Sequence, residues 1–376
     1  MKRIRVTPRV DWEAKTAAQG LSYSRVDGRL YWDESVAYEF TAAEIEVLET
    51  ATNALHQLCL QAGQTIIDRG WIDRLGLPAG AAPLIEHSWE ADAPSLYGRF
   101  DLAYDGTRPP VMLEYNADTP TALVEAAVCQ WFWLKDVFPD ADQFNSIHER
   151  LIAAWKRHAP ALPSSSVHLC AMRASLEDNQ TILYLADTAL NAGLSPLQMA
   201  VEDLGWDGQR FVDLDRNPIS TLFKLYPWEW LLVDQFGANI PAAPTFWFEP
   251  AWKMMFSSKG ILPILWELFP GHPNLLPAFF IAPGSLAGNY VRKPLLSREG
   301  RNVSIFQNGR PVAETEGPYD TGGYVYQARA ETADFDGQRA VLGSWVIDHE
   351  AAGIGVREDK ALISSNESRF VPHLMR

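Results

Sequence analysis

Two polar pairs, Arg99-x-Asp101 and Glu114-x-Asn116, each sit inside an apolar, β-prone run. The runs are Ser95-Leu-Tyr-Gly-Arg-Phe-Asp-Leu102 and Val111-Met-Leu-Glu-Tyr-Asn-Ala-Asp-Thr-Pro120. Residues two apart in a strand share a face, so each strand would carry its pair on one side. Between them stands Asp105-Gly106, a strong turn signal. If the two strands pair, one cation and two or three hard oxygen ligands converge on one spot. Mg²⁺ with a polyphosphate needs such an arrangement, because it takes few protein oxygens and lets phosphates complete its octahedron. The competing reading is a plain pair of half-buried strands whose polar residues face water.

The rest of the chain limits the partners such a site can have. Asp plus Glu outnumber Lys plus Arg by 47 to 32, a formal charge of −15. That excludes nucleic acid and anionic membrane as expected partners, so any phosphate site must be a local basic pocket. With 376 residues, 47 % hydrophobic and 21 % charged, the chain suits an ordinary globular protein of two or three lobes. Cys59, Cys129 and Cys170 lie far apart and form no metal-binding spacing, which fits reduced thiols. The basic N-terminus lacks the apolar stretch of a signal peptide, and no run reaches membrane-span length. A cytoplasmic location is therefore expected. Aromatic clusters such as Trp131-Phe-Trp133 and Trp228-Glu-Trp230 read as core.

Along the chain, residues 1–40 read as an irregular aromatic arm. Thr41-Ala-Ala-Glu44 is a capping box, and Leu48, Ala51, Leu55, Leu58 and Ala62 follow with helical spacing up to Gly70. Thr119-Pro120 predicts a helix cap with Pro at the first helical position, opening a buried helix to about Val137. The Val167–Met172 segment reads as a strand, 177–191 as a helix and 199–201 as a second strand, a small α/β lobe over about 165–235. Leu222–Val233 reads as a further helix, and Lys259–Pro270 as a short one. From about 290 the texture is strands and glycine turns, suited to a mobile cover.

Two later segments add cations. Tyr290-Val-Arg-Lys293 continues into Ser297-Arg-Glu-Gly300-Arg-Asn-Val303, a strand lysine followed by a turn whose N–H groups can nest an anion. An edge hairpin with solvated charges is the alternative. Gly353-Ile-Gly355-Val-Arg357 leads into Leu362-Ile363, where Arg357 offers another cation or belongs to a charged hairpin. No P-loop pattern or dinucleotide fingerprint occurs. The eight histidines are scattered, with none beside an obvious Ser or Cys nucleophile.

Taken together, these segments resemble the synthetase part of the glutathionylspermidine synthase family, including its stand-alone acid–amine ligases. The likeness runs through Pro94–Gly106, Leu113–Thr121, Asp142-Gln-Phe-Asn-Ser146, Leu222-Phe-Lys-Leu-Tyr-Pro-Trp-Glu229, Glu249-Pro-Ala-Trp-Lys253, Leu262–Pro270 and Lys293-Pro-Leu-Leu-Ser-Arg-Glu-Gly300. It implies an α/β (α+β) ATP-grasp fold with rearranged chain order, metal ligands preceding the lid lysines. The whole of 1–376 would form one synthetase unit, with a preATP-grasp-like lobe at about 165–235, an ATP-covering lid at about 250–330 and no amidase domain. The implied activity is Mg²⁺- and ATP-dependent condensation of an acid with an amine. An amino-acid or peptide ligase, or a non-catalytic nucleotide-binding relative, is the alternative.

By position the resemblance assigns Mg²⁺ to Asp101, Glu114 and Asn116, and phosphoryl stabilisation to Arg99. It assigns ATP to Arg99, Asp101, Lys259, Lys293, Gly300, Gln327, Leu362 and Ile363. The small-molecule acid and amine fall to Thr119, Glu177, Asp178, Lys224 and Arg357. Arg369 stands where the family has a polyamine-contacting acid, which would disfavour a polyamine.

Overall fold

The computed structural model describes all residues except 27, 320, 321, 366 and 367; 320 and 321 belong to the expected cover and lie outside the described residues. The chain opens with β1 (Lys2–Arg5) and β2 (Val36–Phe40), then the 28-residue helix α1 (Ala42–Arg69). The capping box forms: the Thr41 side chain accepts from Glu44 N, and Glu44 accepts from Thr41 N. Gly70 ends the helix at φ 62°, a left-handed conformation that costs glycine little. The stripe Leu48, Ala51, Leu55, Cys59, Ala62 and Ile66 is buried. Residues 1–40 are thus less irregular than expected, since β1 pairs antiparallel with β2.

Next come β3 (Tyr97–Ala103), β4 (Val111–Asn116), α2 (Gln130–Val137) and α3 (Ile147–His158). The helix expected from Thr119-Pro120 begins later. Ala122 holds a left-handed φ of 67°, which blocks helix before it, and a π turn over Glu125–Cys129 leads into α2. Thr119 is therefore no cap and turns to the site instead. Phe132 is also 48 % exposed, so the helix is not apolar-buried all round.

The α/β lobe follows as β5 (Ser166–Ala171), α4 (Leu176–Asn191), β6 (Ser195–Ala200), β7 (Thr221–Leu225), the one-turn α5 (Trp228–Leu231) and β8 (Phe246–Phe248). Its four strands are parallel in the order β8-β7-β5-β6. The helix expected over 222–233 is instead this central strand and a short turn. A strand covered on both faces reads as a continuous apolar run, which period alone does not separate from a buried helix. Pro227 then stops any helix from spanning the segment.

A short helix α6 (Ile261–Leu268) precedes β9 (Ala278–Phe279), β10 (Tyr290–Pro294), β11 (Ser304–Gln307), β12 (Arg310–Glu314) and β13 (Tyr324–Ala328). These five strands form an antiparallel sheet, β9-β13-β10-β11-β12. The chain closes with β14 (Arg339–Ile347), β15 (Glu350–Asp359), β16 (Arg369–Val371) and β17 (His373–Met375). The central antiparallel sheet is β16-β15-β14-β3-β4, while β17 joins β2 in parallel.

The two faces of the central sheet differ because side chains alternate. Phe100, Leu102, Tyr115 and Leu342 are buried in the main core with α1, and Phe100 stacks on Tyr115 at 3.8 Å between ring centres. Burying a Leu or Phe side chain contributes roughly 1.5–3 kcal/mol, so this face fixes the register. The opposite face carries Arg99, Asp101, Glu114 and Asn116 into a cleft.

Candidate active site

The register of β3 and β4 sets the site: Arg99 lies opposite Asn116 and Asp101 opposite Glu114. On the other side of β3, Gly343 faces Asp101. A Cβ there would come within 2.8 Å of Arg99 Cδ, so this glycine leaves room for the arginine to lie along the sheet. Arg99 Nε and Nη2 donate to Asp101 at 2.8 and 3.3 Å, and Nη1 donates to Thr121 O at 2.5 Å. The guanidinium also lies 5.8 Å from the Trp345 ring centre.

Two lysines complete the charge cluster. Lys259 Nζ is 3.1 Å from Glu114 and donates to Ser297 O at 2.8 Å. Lys293, on β10, donates to Leu113 O and to Gln327 Oε1, both at 2.9 Å, while Gln327 Nε2 donates to Met112 O. Gln327 thus holds Lys293 in place across the two sheets. Burial pulls the Lys293 ammonium down to about 8, against the opposing pull of Glu114. Burial would raise the Glu114 carboxyl, but Lys259 and Lys293 outweigh it and hold it at about 2. The carboxylate is therefore ionised at neutral pH.

These groups line one open cleft of about 380 Å³ between the central sheet, the β9–β13 sheet and the α/β lobe. Of the residues expected from sequence, Arg99, Asp101, Glu114, Asn116, Thr119, Glu177, Asp178, Lys259, Lys293, Gly300, Gln327, Arg357, Leu362 and Ile363 all line it. Gly300 sits at φ 66°, where a Cβ would be 2.2 Å from Ser364 O, so the 297–300 turn and the 361–365 segment abut over the cleft. Burial pushes the Asp178 carboxyl, beside Glu177, up to about 6. The Arg357 guanidinium lies 5.5 Å from the Phe370 ring centre, and its Nε is buried without a partner.

Lys224 is placed differently. It is fully buried on β7, 2.6 Å from Asp118, and both side chains are 1 % exposed. Asp118 also accepts from Trp228 N, and its own N–H donates to Ser257. This pair is a strut joining β7 to the exit of β4, and it does not line the cleft. Burial lowers the Lys224 ammonium while Asp118 opposes that shift. Removing one member of such a pair leaves the other charge buried and unpaired. Lys224→Met is expected to destabilise the protein by about 3–5 kcal/mol, read by denaturant unfolding. Unchanged stability with a raised substrate KM would instead make Lys224 a substrate contact.

Arg369 also needs correction. It pairs with Asp33 and with Glu358, each at 2.7 Å, and Glu358 is bound in turn by Arg3 and Tyr38. Its charge is neutralised within this network, and its neighbour Phe370, not Arg369, faces the cleft. The repulsion expected from it is therefore not a property of the site.

Sequence reasoning missed several cleft residues. Arg298 donates to Thr119 Oγ1 and to Glu229, both at 2.6 Å, tying the 297–300 turn to the β4 exit and to α5. Its place inside Lys293–Gly300 was the only available signal. Ser175 and Trp230 line the cleft; no local pattern marks Ser175, and of the Trp228–Trp230 cluster expected in the core Trp228 is buried while Trp230 turns to the cleft.

Asp101, Glu114 and the side-chain oxygen of Asn116 form a hard-oxygen set on adjoining strands suited to Mg²⁺ with phosphate oxygens. Among the described residues no three His, Cys, Asp or Glu side chains gather as a metal cluster. Two carboxylates and an amide fit a cation whose remaining ligands come from substrate.

The model for the family described as glutathionylspermidine synthase preATP-grasp matches residues 3–376. A Haemophilus influenzae protein named "Putative acid--amine ligase" is 44 % identical over 391 aligned positions, covering 99 % of each chain. Trypanothione synthetase of Crithidia fasciculata is 30 % identical over 348 positions, covering 84 % of this chain but 53 % of that protein, about half its length. Among solved structures, a glutathione synthetase-like effector from Globodera pallida, in its apo form, superposes with a TM-score of 0.59 at 10 % identity. That match covers 99 % of this chain and 98 % of the other, and it bears on the fold alone.

Proposed function

The chain belongs to the glutathionylspermidine synthase family, and on that premise we propose that it condenses a carboxylate with an amine through an acyl-phosphate, using ATP and Mg²⁺. Membership makes it a ligase with an ATP-grasp fold. The observation that carries the finer reading is the charge layout of the cleft. Arg99, Lys259 and Lys293 surround Asp101, Glu114 and Asn116 at one end, and Glu177 and Asp178 stand at another side.

A carboxylate is a poor electrophile for amide formation at neutral pH, and phosphorylation converts it into an acyl-phosphate. Lys259 and Lys293 would hold the ATP phosphates as point charges. Asp101, Glu114 and Asn116 would hold Mg²⁺, which supplies charge neutralisation to phosphoryl oxygens when bound. Arg99 is fixed by Asp101 and Thr121 O and would face the transferring phosphoryl group with a preset guanidinium. Such fixed cations act without reorganising as charge develops. Gly300 and the 361–365 segment would cover the nucleotide, with Leu362 and Ile363 against the base. Glu177 and Asp178 would receive the acceptor as an ammonium ion, Asp178 being well placed to take its proton because its carboxyl is raised to about 6.

The substrates proposed are therefore a small carboxylic acid and a cationic amine. With Arg369 neutralised by Asp33 and Glu358, a polyamine is no longer disfavoured on charge. The test is ATP turnover that requires both an acid and an amine.

A further inference from the structure

The segment Glu249-Pro-Ala-Trp-Lys253 has no part in the scheme above, yet it sets a buried charge pair against the strands that carry the site. It follows β8 and runs through the helical turn Met254–Ser257 to Lys259. Glu249 is 0 % exposed and Lys253 1 %. Glu249 Oε1 accepts from Leu96 N and from Tyr97 N, both at 3.0 Å. Lys253 Nζ donates to Tyr97 O and to Ala117 O, both at 2.8 Å, and lies 3.2 Å from Glu249 Oε2. An ammonium carries three N–H groups, so each has an acceptor within reach.

These contacts fall where the ladder between β3 and β4 stops. Its register ends at the pair Arg99 and Asn116. Tyr97 stands just before Arg99 on β3, and Ala117 follows Asn116. Lys253 thus ties the two strands together at the point where their own pairing no longer does. The same segment is fixed further along. Ser257 Oγ accepts from Asp118 N at 2.8 Å, Ser258 Oγ donates to Leu75 O at 2.7 Å, and Lys259 Nζ lies 3.1 Å from Glu114. One short run therefore grips both site strands and also presents Lys259 to them. Stability is a weak reason for such a pair, since apolar side chains of similar volume often serve a fold as well or better. Its hydrogen bonds to defined backbone atoms supply fixed geometry instead.

We propose that Glu249 and Lys253 are positioning residues that fix Lys259 relative to the strands carrying Arg99, Asp101, Glu114 and Asn116. This rests on the reading of Asp101, Glu114 and Asn116 as Mg²⁺ ligands and of Lys259 as a phosphate grip. Neither Glu249 nor Lys253 lines the cleft, so both act through the backbone they hold. No covalent bond changes. A bound Mg²⁺–phosphate complex has to meet the strand carboxylates and Lys259 at the same time. A displacement of about 1 Å between such groups can cost about a hundredfold in rate.

The test uses the full chain with Glu249→Gln and Lys253→Met together, which removes both charges and leaves neither buried alone. Leu185→Ala, in the core of the α/β lobe, is the control for lost stability. Both readouts are taken well below the unfolding temperature. Without ligand, backbone hydrogen exchange in the double variant is expected to quicken about tenfold or more over Tyr97–Ala103 and Val111–Asn116, with α4 unchanged. Mg-ADP affinity by calorimetry is expected to fall about tenfold or more, while L185A binds as the native chain does. A structural role alone would lower the unfolding temperature and leave both readouts native. Native exchange on both strands, or native Mg-ADP affinity, in the folded double variant overturns the proposal. If the double variant fails to fold, Lys253→Arg is read by the same two criteria, since it keeps a cation beside Glu249 but replaces a compact ammonium by a wider planar group. A native chain that binds no Mg-ADP overturns the nucleotide reading of the cleft, and hydrogen exchange then decides the positioning role by itself.

Discussion

Replacing Asp101 by Asn and Glu114 by Gln together lowers ATP turnover by at least about a thousandfold, since each group removed from a charge-stabilising constellation typically costs about 10²–10³ in rate. The reason is local. Both carboxylates stand on adjoining strands, directly opposite one another, Asp101 paired with Arg99 and Glu114 with Lys259. Either single replacement should also raise the Mg²⁺ concentration needed for half-maximal turnover, because a neutral amide binds the cation more weakly than a carboxylate. Thermal unfolding of the same variants separates this from loss of fold, since both side chains sit at the cleft and outside the core. Turnover that survives the double replacement, with Mg²⁺ dependence unchanged, would remove the metal assignment.

Arg99→Ala is expected to lower kcat by about 10²–10³ while ATP affinity changes by only a few-fold. Arg99 is 7 % exposed, fixed by Asp101 and Thr121 O and set against Trp345. Lys259 and Lys293 remain to hold the triphosphate, so ground-state binding of the nucleotide should persist. Arg99→Lys is expected to rescue little, because a lysine cannot reproduce the two-pronged contact with Asp101. The check is pre-steady-state turnover alongside nucleotide binding by calorimetry. Loss of ATP binding in R99A, with chemistry intact at saturation, would assign Arg99 to nucleotide positioning alone.

How much of this was legible beforehand depends on whether the cause of each feature is local. The two polar pairs fell on one sheet face because alternation is a property of each strand by itself, and Phe100 and Tyr115 fixed the opposite face. The capping box at Thr41 and the left-handed Gly70 are likewise set by a few neighbours. The 222–233 segment was misread because its apolar run is buried on both faces of a sheet whose partners, β5 and β8, come from elsewhere in the chain. Thr119-Pro120 has the form of a helix start, but Ala122 turns left-handed and Arg298 claims the Thr119 hydroxyl. Lys224 is expected at a substrate and Arg369 to repel a polyamine, yet Asp118 neutralises the first and the Asp33–Glu358 pair the second. A partner 106 residues away, as for Lys224 and Asp118, leaves no trace in local spacing.

The most direct test of the ligase account is a stoichiometric one. The protein is incubated with Mg-ATP and a panel of acids paired with amines, including glutathione, free amino acids, dipeptides, spermidine and simple diamines. ADP, phosphate and condensed product are measured together, with hydroxylamine replacing the amine in parallel samples. The account predicts one ADP and one phosphate per amide, no turnover when either partner is left out, and a hydroxamate of the same acid with hydroxylamine. AMP and pyrophosphate as products, or amide formation that proceeds without ATP, would contradict it.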